Sequence, residues 1–169
     1  LAEEVSDAAG SIAAENLDVS LHATVKAIAT GMRVVLDLSG RQGALYIDPV
    51  YVEMPPQPLQ INARFDWSSA GQQLLLHSFS YRHPGSVLVE GHGLFSPAAD
   101  VPIRDLQLEL RQANFPSLYD TYLRPWLYGS MLADLDTAGE LSGAFSWEQG
   151  KLGRVSLDPV NLTVNDREG

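Results

Sequence analysis

The chain has 169 residues, which is enough for one domain with a sizeable core or for two very small ones. Its 45% hydrophobic content is typical of a folded protein, and its 11 basic against 21 acidic residues give a formal net charge of −10. That charge is a poor match for phosphate backbones and anionic membrane surfaces, so nucleic acid is not an expected partner. The lack of cysteine excludes disulfides and thiolate metal sites.

The N-terminal part differs in pattern from the rest. The chain begins at Leu1 rather than at methionine and ends directly after a strand pattern, so we interpret it as a fragment of a longer protein. Residues 1–15 hold a weak, alanine-rich helical pattern, which predicts a short helix or a linker. Residues 16–169 are predicted to form a single antiparallel β domain. Strict alternation over residues 16–29 predicts its first, half-buried strand.

Two turns and a proline-rich break divide the next part of the chain. Gly31 and residues 39–43 are predicted turns on either side of a short strand. Residues 44–54 are strand-like, and Pro49 indicates an edge or bulge position within them. Residues 55–58 read Pro-Pro-Gln-Pro; a sub-domain boundary there is one option, although the alternation resumes at once.

Short alternating strands fill most of the remaining sequence, with Gly139 and Gly143 as predicted turns near its end. The predicted strands are residues 59–67, 72–81, 86–95, 103–111, 131–138, 140–147, 152–158 and 160–164. Segments such as DVSLHATV and VSLDPVNLTV are similar to one another, as the repeated units of a long β architecture are.

One segment, residues 115–128, has helical periodicity instead. Its large apolar residues fall at i, i+3, i+4, i+7, i+8, i+11 and i+12, which predicts one buried helix face made of Phe115, Leu118, Tyr119, Tyr122, Leu123, Trp126 and Leu127. Asn114 is a candidate cap for this helix. Pro125 removes the backbone bond to Thr121, so we expect a kink or an early stop near Arg124.

The fold class that these elements predict is mainly β. We expect a long, curved antiparallel meander, shaped as a groove or a roll, with one amphipathic helix packed on it. One such helix is too short to cover the apolar faces of about ten strands. The sequence leaves open whether the remaining apolar face is exposed or is sealed against a second sheet.

Few residues of this sequence are candidates for catalysis or metal binding. His77, His83 and His92 lie near one predicted hairpin and would make a zinc site if they converged, but solvent-facing strand histidines are the simpler interpretation. Residues 134–145 begin like a calcium loop but place Phe145 where a bidentate glutamate is needed. The carboxylates are dispersed, and Ser130, Ser142 and Ser146 have no histidine nearby in sequence. We therefore predict no catalytic residue, no metal and no cofactor.

The aromatic residues of the helix have two interpretations. Tyr119, Tyr122, Trp126 and Tyr128 are either a ligand platform or core residues whose polar tips reach water, and the second is the commoner arrangement. In both, the helix face acts as a structural element or a lid. We predict that Leu123→Asp unfolds or aggregates the domain.

The C-terminal 70 residues resemble a known family. The strand IRDLQLELRQANF, the helix core formed by Tyr119, Tyr122, Leu123 and Pro125, and a Leu-x-Gly hairpin around residues 139–143 are similar to the C-terminal region of YdbH-type Gram-negative envelope proteins. That family carries the label "dicarboxylate transport" and is related to the AsmA and TamB proteins. No arginine pair suited to a dicarboxylate is present here.

The resemblance implies a function and a location. It implies a non-enzymatic segment of a bridge-like periplasmic protein, anchored to the inner membrane by a helix outside this sequence. An apolar β-groove would carry phospholipid toward the outer membrane or maintain that membrane. The implied partners are phospholipid or acyl chains and other segments of the same longer chain. The alternatives are a self-contained β-sandwich or roll with a binding or assembly role, and an enzyme with a dispersed site.

Overall fold

A computed structural model of the protein describes residues 4–6 and 10–166. The strands are β1 (Glu4–Ser6), β2 (Ile12–Ile28), β3 (Gly31–Ile47), β4 (Val50–Glu53), β5 (Leu59–Ser68), β6 (Gln73–His83), β7 (Val87–Phe95), β8 (Ile103–Asn114), β9 (Leu135–Glu148) and β10 (Lys151–Asp166). Between β8 and β9 lie α1 (Phe115–Leu118), a π-helical turn (Tyr119–Leu123) and α2 (Arg124–Leu127). Residues 115–127 are called the helical segment below.

All ten strands belong to one antiparallel sheet, which confirms the predicted fold class. Its order is β1-β2-β3-β5-β6-β7-β8-β9-β10, and β4 pairs with the end of β3. Neighbours in the sheet are therefore neighbours in the chain, as in a meander. β1 and β10 are the two edges and do not pair with each other, so the sheet is open. The described residues contain no second sheet, so the sandwich alternative does not fit this architecture.

The register places the apolar residues of successive strands on one face. One row across the sheet consists of Leu21, Leu38, Ile61, Tyr81, Val89, Leu110, Gly143 and Leu157, each paired with the next. The neighbouring row consists of Ala23, Leu36, Ala63, Phe79, Gly91, Leu108, Phe145 and Val155. Because side chains alternate along a strand, one continuous apolar face runs from β2 to β10.

The predicted N-terminal helix is wrong where the structure describes it. Glu4–Ser6 is a strand that pairs with residues 13–15 of β2, and β2 already begins at Ile12. The alanine-rich pattern has too few helical contacts to hold a short helix, whereas the edge of the sheet supplies backbone partners. Residues 1–3 and 7–9 lie outside the described residues.

Two predicted turns are bulges inside long strands. Residues 39–43 lie within β3, where Gly43 at φ 92° faces Asn16 at φ 46° in β2. Gly139 at φ 105° lies within β9 and faces Asn161 at φ 50° in β10. The register shifts at both places, so a glycine that looked like a turn absorbs an irregularity between paired strands.

The Pro-Pro-Gln-Pro segment is not a domain boundary. β4 and β5 both pair with β3, one after the other along the same side of that strand. Residues 54–58 are therefore a break in one line of pairing. The chain turns back between β3 and β4 around Pro49, so residues 44–54 form a hairpin rather than the single strand predicted.

The helical segment follows β8 directly. Asn114 caps it as predicted, since the Asn114 Oδ1 atom accepts a hydrogen bond from the Ser117 backbone N–H at 3.1 Å. The segment does not stop at Arg124; the Arg124 N–H bonds to the Tyr119 carbonyl, five residues back. This π turn takes up the disturbance that Pro125 causes, and the helix continues to Leu127.

Burial is shallow for a domain of this size. Among the described residues, no large side chain is less than 2% exposed. The best-buried positions, such as Leu59, Val87, Ala113 and Tyr119, lie beneath or beside the helical segment. No helix in the described part of the chain is long and apolar enough to cross a membrane.

Candidate apolar binding site

The helical segment and the first half of the sheet enclose an apolar cavity of about 610 Å³. This volume is within the range of pockets that take small ligands. Three groups of residues line the cavity. The sheet side is Leu17, Val19, Leu38, Gly40, Leu45, Ile47, Leu59, Ile61 and Tyr81. The β3–β4 hairpin adds Asp48, Val50, Val52 and Met54, and the covering side is Tyr122 and Trp126. We call this space the apolar cavity.

Strand alternation makes the cavity apolar. β2, β3, β4 and β5 all contribute their inward-facing positions, while the polar residues between them point to the other face of the sheet. Gly40 has a specific role, because a Cβ atom there would lie 2.7 Å from the sulfur of Met54. The missing side chain thus makes room for Met54, which contributes a flexible apolar wall.

A buried polar network holds the helical segment over the sheet. The hydroxyl of Tyr122 lies 2.7 Å from Nδ1 of His83 and is also hydrogen-bonded to the hydroxyl of Tyr81. The Tyr122 ring meets the other two rings edge to face, with centroids 6.3 Å and 6.0 Å away. His83 and Tyr81 come from β6, so the network ties the π turn to the middle of the sheet.

Burial sets the charge state of this network. It lowers the pKa of His83 below its ordinary value, which favours the neutral imidazole. Burial, reinforced by the hydrogen bond with Tyr81, raises the pKa of Tyr122, and burial also raises the pKa of Tyr81. The network is therefore uncharged, and its polar atoms satisfy one another beside the apolar cavity.

Tyr119 anchors the other side of the helical segment. It is 2% exposed, and its hydroxyl donates to the backbone carbonyl of Leu132 and accepts from the Leu135 N–H at 3.4 Å. α1 packs on β8 and β9, whereas the π turn reaches β4. The helical segment thus crosses the sheet from β9 to β4 as a strap.

The predicted helix face is only partly buried. Phe115, Leu118, Tyr122 and Leu127 are half-buried and Tyr119 is buried, but Leu123 is 41% exposed and Trp126 is 68% exposed. The expected burial of Leu123 is wrong, because the π turn adds a residue to one helical turn and rotates the later positions away from the original stripe. Trp126 still lines the apolar cavity, so its exposure places it at a mouth of that cavity.

The structure places the aromatic residues of the helical segment in three different surroundings. Tyr119 is a core residue, whereas Tyr122 and Trp126 line the apolar cavity. Tyr128 is 91% exposed and lines neither the core nor that cavity. Sequence periodicity could not separate these roles, since it assumes a regular helix.

The three histidines do not converge. The Nε2 atom of His77 lies 2.9 Å from a carboxylate oxygen of Asp66 on the polar face of the sheet. His83 is buried below the helical segment, and His92 is exposed on the polar face. Within residues 4–6 and 10–166, no three histidine or acidic side chains are close enough together to hold a metal ion.

The polar face carries cross-strand ion pairs that sequence reasoning missed. Arg33 donates two hydrogen bonds of 2.7 Å to Asp66, and the register places these residues directly opposite each other. The Arg33 guanidinium, with help from His77, holds the pKa of the Asp66 carboxyl well below its usual range. Opposite charges at paired strand positions would have been the signal, but finding them requires the register, which the sequence does not supply.

A second cavity, of about 730 Å³, opens on that polar face. It is lined by both polar and apolar residues, and Arg111 bridges Glu90 at 2.9 Å and Glu109 at 2.6 Å within it. These side chains are about half exposed, so the arrangement is that of solvated surface ion pairs.

Comparison with protein-family models, with curated proteins and with solved structures finds no match to this chain.

Proposed function

We propose that this chain is a non-enzymatic segment of a bridge-like periplasmic envelope protein, and that its apolar sheet face carries the acyl chains of phospholipids. The observation that carries the proposal is the apolar face that runs through β2 to β10 and that one 13-residue helical segment covers only in part. The family resemblance of residues 100–169 supplies the periplasmic location and the anchoring to the inner membrane.

The uncovered part of this face lies toward both edges of the sheet. Leu21 and Val25 in β2 are 62% and 61% exposed, and Val155 and Leu157 in β10 are 54% and 61% exposed. Rows of exposed apolar side chains on paired strands are unusual, because soluble proteins rarely leave contiguous apolar area in water. An apolar ligand laid along the face would remove this area from water.

The energetics suit an acyl chain. Each methylene that leaves water contributes about 0.8 kcal/mol, so a long chain gains several kcal/mol without any polar contact. The apolar cavity offers no charged group to a phosphate except the nearby Asp48, and its carboxylate would repel an anionic headgroup. The headgroup would therefore remain in solvent while the acyl chains contact the sheet.

Acyl binding can be tested with a pair of variants one residue apart. Val19 lines the apolar cavity, whereas Ser20 is exposed and points to the other face of β2. Val19→Asp should weaken binding of a fluorescent fatty-acid probe about tenfold or more, because it places a carboxylate against the chain. Ser20→Asp adds the same charge and should bind the probe like the unaltered protein.

Two results of that experiment would reject the proposal. One is the absence of saturable probe binding to the unaltered chain. The other is an equal effect of Val19→Asp and Ser20→Asp, which would mean that charge alone, and not the apolar face, controls binding. Circular dichroism of both variants verifies that each remains folded.

A further inference from the structure

Four large apolar side chains are exposed to solvent around the end of the helical segment. Trp126 is 68%, Tyr128 91%, Met131 88% and Leu132 47% exposed. Single exposed apolar residues are ordinary, but four within seven residues form a patch, and patches of this kind mark interaction sites. We call these four residues the tip cluster.

The charge around the tip cluster is unlike that of the rest of the chain. Residues 121–133 contain no carboxylate, although the chain has 21 acidic residues. The one cation of this stretch, Arg124, lies 3.6 Å from Asp120 and 3.3 Å from Asp134. Arg124 and its two partners together carry a net charge of −1, a small share of the −10 of the whole chain. An apolar tip with so little charge suits a zwitterionic surface, whereas the whole chain would be repelled by an anionic one.

Several backbone groups of the tip are hydrogen-bonded within the tip itself. The Ser130 N–H and hydroxyl both donate to the Leu127 carbonyl, at 3.0 Å and 2.7 Å. The Leu132 N–H donates to the Ser130 hydroxyl at 3.2 Å, and the Ala133 N–H donates to the Ser130 carbonyl at 3.1 Å. Each of these internal bonds lowers the cost of moving the loop into a poorly hydrated environment.

We propose that the tip cluster inserts into the headgroup region of a zwitterionic lipid surface. Trp and Tyr suit this depth, because their rings are apolar while their N–H and O–H groups reach water, and Met131 and Leu132 supply the apolar contact below them. Trp126 also lines the apolar cavity, so insertion brings the mouth of that cavity to the lipid surface. The inference stands on the tip cluster alone and does not require that the sheet carries lipid.

Labelling at single cysteines tests the insertion, since the chain has no cysteine of its own. An environment-sensitive fluorophore is attached at Met131→Cys and, as a control, at Tyr51→Cys, an exposed position on β4 that faces away from the apolar cavity. With phosphatidylcholine vesicles, the label at position 131 should shift to the blue and be quenched by lipids that carry a headgroup-proximal quencher. The label at position 51 should change in neither respect.

A double variant tests whether vesicle binding requires the apolar side chains of the tip cluster. Tyr128→Asp combined with Met131→Asp changes only highly exposed side chains and should fold normally, yet weaken vesicle binding about tenfold or more. Tyr51→Asp should bind vesicles like the unaltered protein. Replacing part of the phosphatidylcholine by an anionic lipid should weaken binding, because of the net charge of −10.

Three outcomes would overturn the inference. The first is no binding to vesicles, and the second is equal spectral change at positions 131 and 51. The third is self-association that buries the label at position 131 without vesicles, which would assign the tip cluster to a second copy of the chain. Fatty-acid probe binding is measured on the same variants, so loss of vesicle binding with retained probe binding separates this inference from the proposed function.

Discussion

The hydroxyl of Tyr122 lies 2.7 Å from Nδ1 of His83, and this contact joins the helical segment to the middle of the sheet. It is one of few polar contacts beneath a segment whose later apolar residues, Leu123 and Trp126, are exposed. The position of the helical segment on the sheet therefore depends in part on this small hydrogen-bond network.

Removing that hydroxyl should loosen the segment. Tyr122→Phe leaves His83 and the Tyr81 hydroxyl without their shared partner, which should lower the free energy of unfolding by about 1–3 kcal/mol. Thermal and urea unfolding measure the change. Tyr46→Phe removes a hydroxyl that bonds to Asp48 at an exposed site and should have little effect. Equal stability of the two variants would contradict the role of the network.

The same network predicts how stability depends on pH. Burial lowers the pKa of His83 below its ordinary 6.5 in the folded state, so the unfolded chain takes up this proton first. Stability should therefore decline as pH falls through about 6.5, where the unfolded chain becomes protonated. His83→Gln does not titrate and should flatten the curve in this range, whereas an unchanged slope in that variant would rule out His83 as its source.

The ion pair between Arg33 and Asp66 on the polar face affects stability in a different pH range. The pKa of Asp66 is lowered in the folded state, first by the Arg33 hydrogen bonds and then by His77. Its stabilising contribution is present above the ordinary value of 3.8 and is lost as pH falls below it. Asp66→Asn should thus remove part of the acid sensitivity below about pH 4 and leave the His83 range unchanged. Urea unfolding at a series of pH values measures both windows.

The π turn predicts different effects for substitutions at Leu123 and at Tyr119. Leu123→Asp should change stability by less than about 1 kcal/mol and leave the protein soluble, because that side chain is 41% exposed. Tyr119→Ala should cost about 3–5 kcal/mol, because it removes a buried ring and its bond to the Leu132 carbonyl. Aggregation of Leu123→Asp with normal folding of Tyr119→Ala would mean that the helix has no π turn.

The bulge between β9 and β10 can be tested at its glycine. At Gly139, φ is 105° and an added Cβ atom would lie 2.5 Å from the Asn161 carbonyl oxygen, so Gly139→Ala should destabilise by more than about 2 kcal/mol. Gly85 has φ 77° and nothing within 4 Å of an added Cβ, so Gly85→Ala should cost only about 1 kcal/mol of backbone strain. Thermal unfolding separates the two, and a similar loss for both would show that the bulge is not tightly packed.

The strands could be predicted from the sequence because their alternation is a local property. The bulges could not be predicted, since glycines such as Gly43 and Gly139 are also the usual residues of turns. Only their position opposite Asn16 and Asn161 shows that they lie in bulges. Asn-Leu-x-Val at residues 16–19 and again at 161–164 repeats this arrangement in the two outer hairpins. That repeat would have been a usable signal.

The candidate site was predicted only in outline. The sequence identified Tyr122 and Trp126, but the helical spacing of the apolar residues also predicted that Leu123 is buried, and it is exposed. The partners of Tyr122 depend on a sheet register across some 40 residues, which no local pattern contains. Sheet residues such as Leu17 and Leu45 are apolar strand positions like many others until the helical segment is placed over them.

Native mass spectrometry reports directly whether the open apolar face holds acyl chains. The chain is expressed in a Gram-negative bacterium, exported to the periplasm and purified without detergent. We expect adducts with phospholipid masses, reduced in Val19→Asp and retained in Ser20→Asp. Protein that is free of lipid in all three preparations, although folded and monomeric, would contradict the proposed acyl binding.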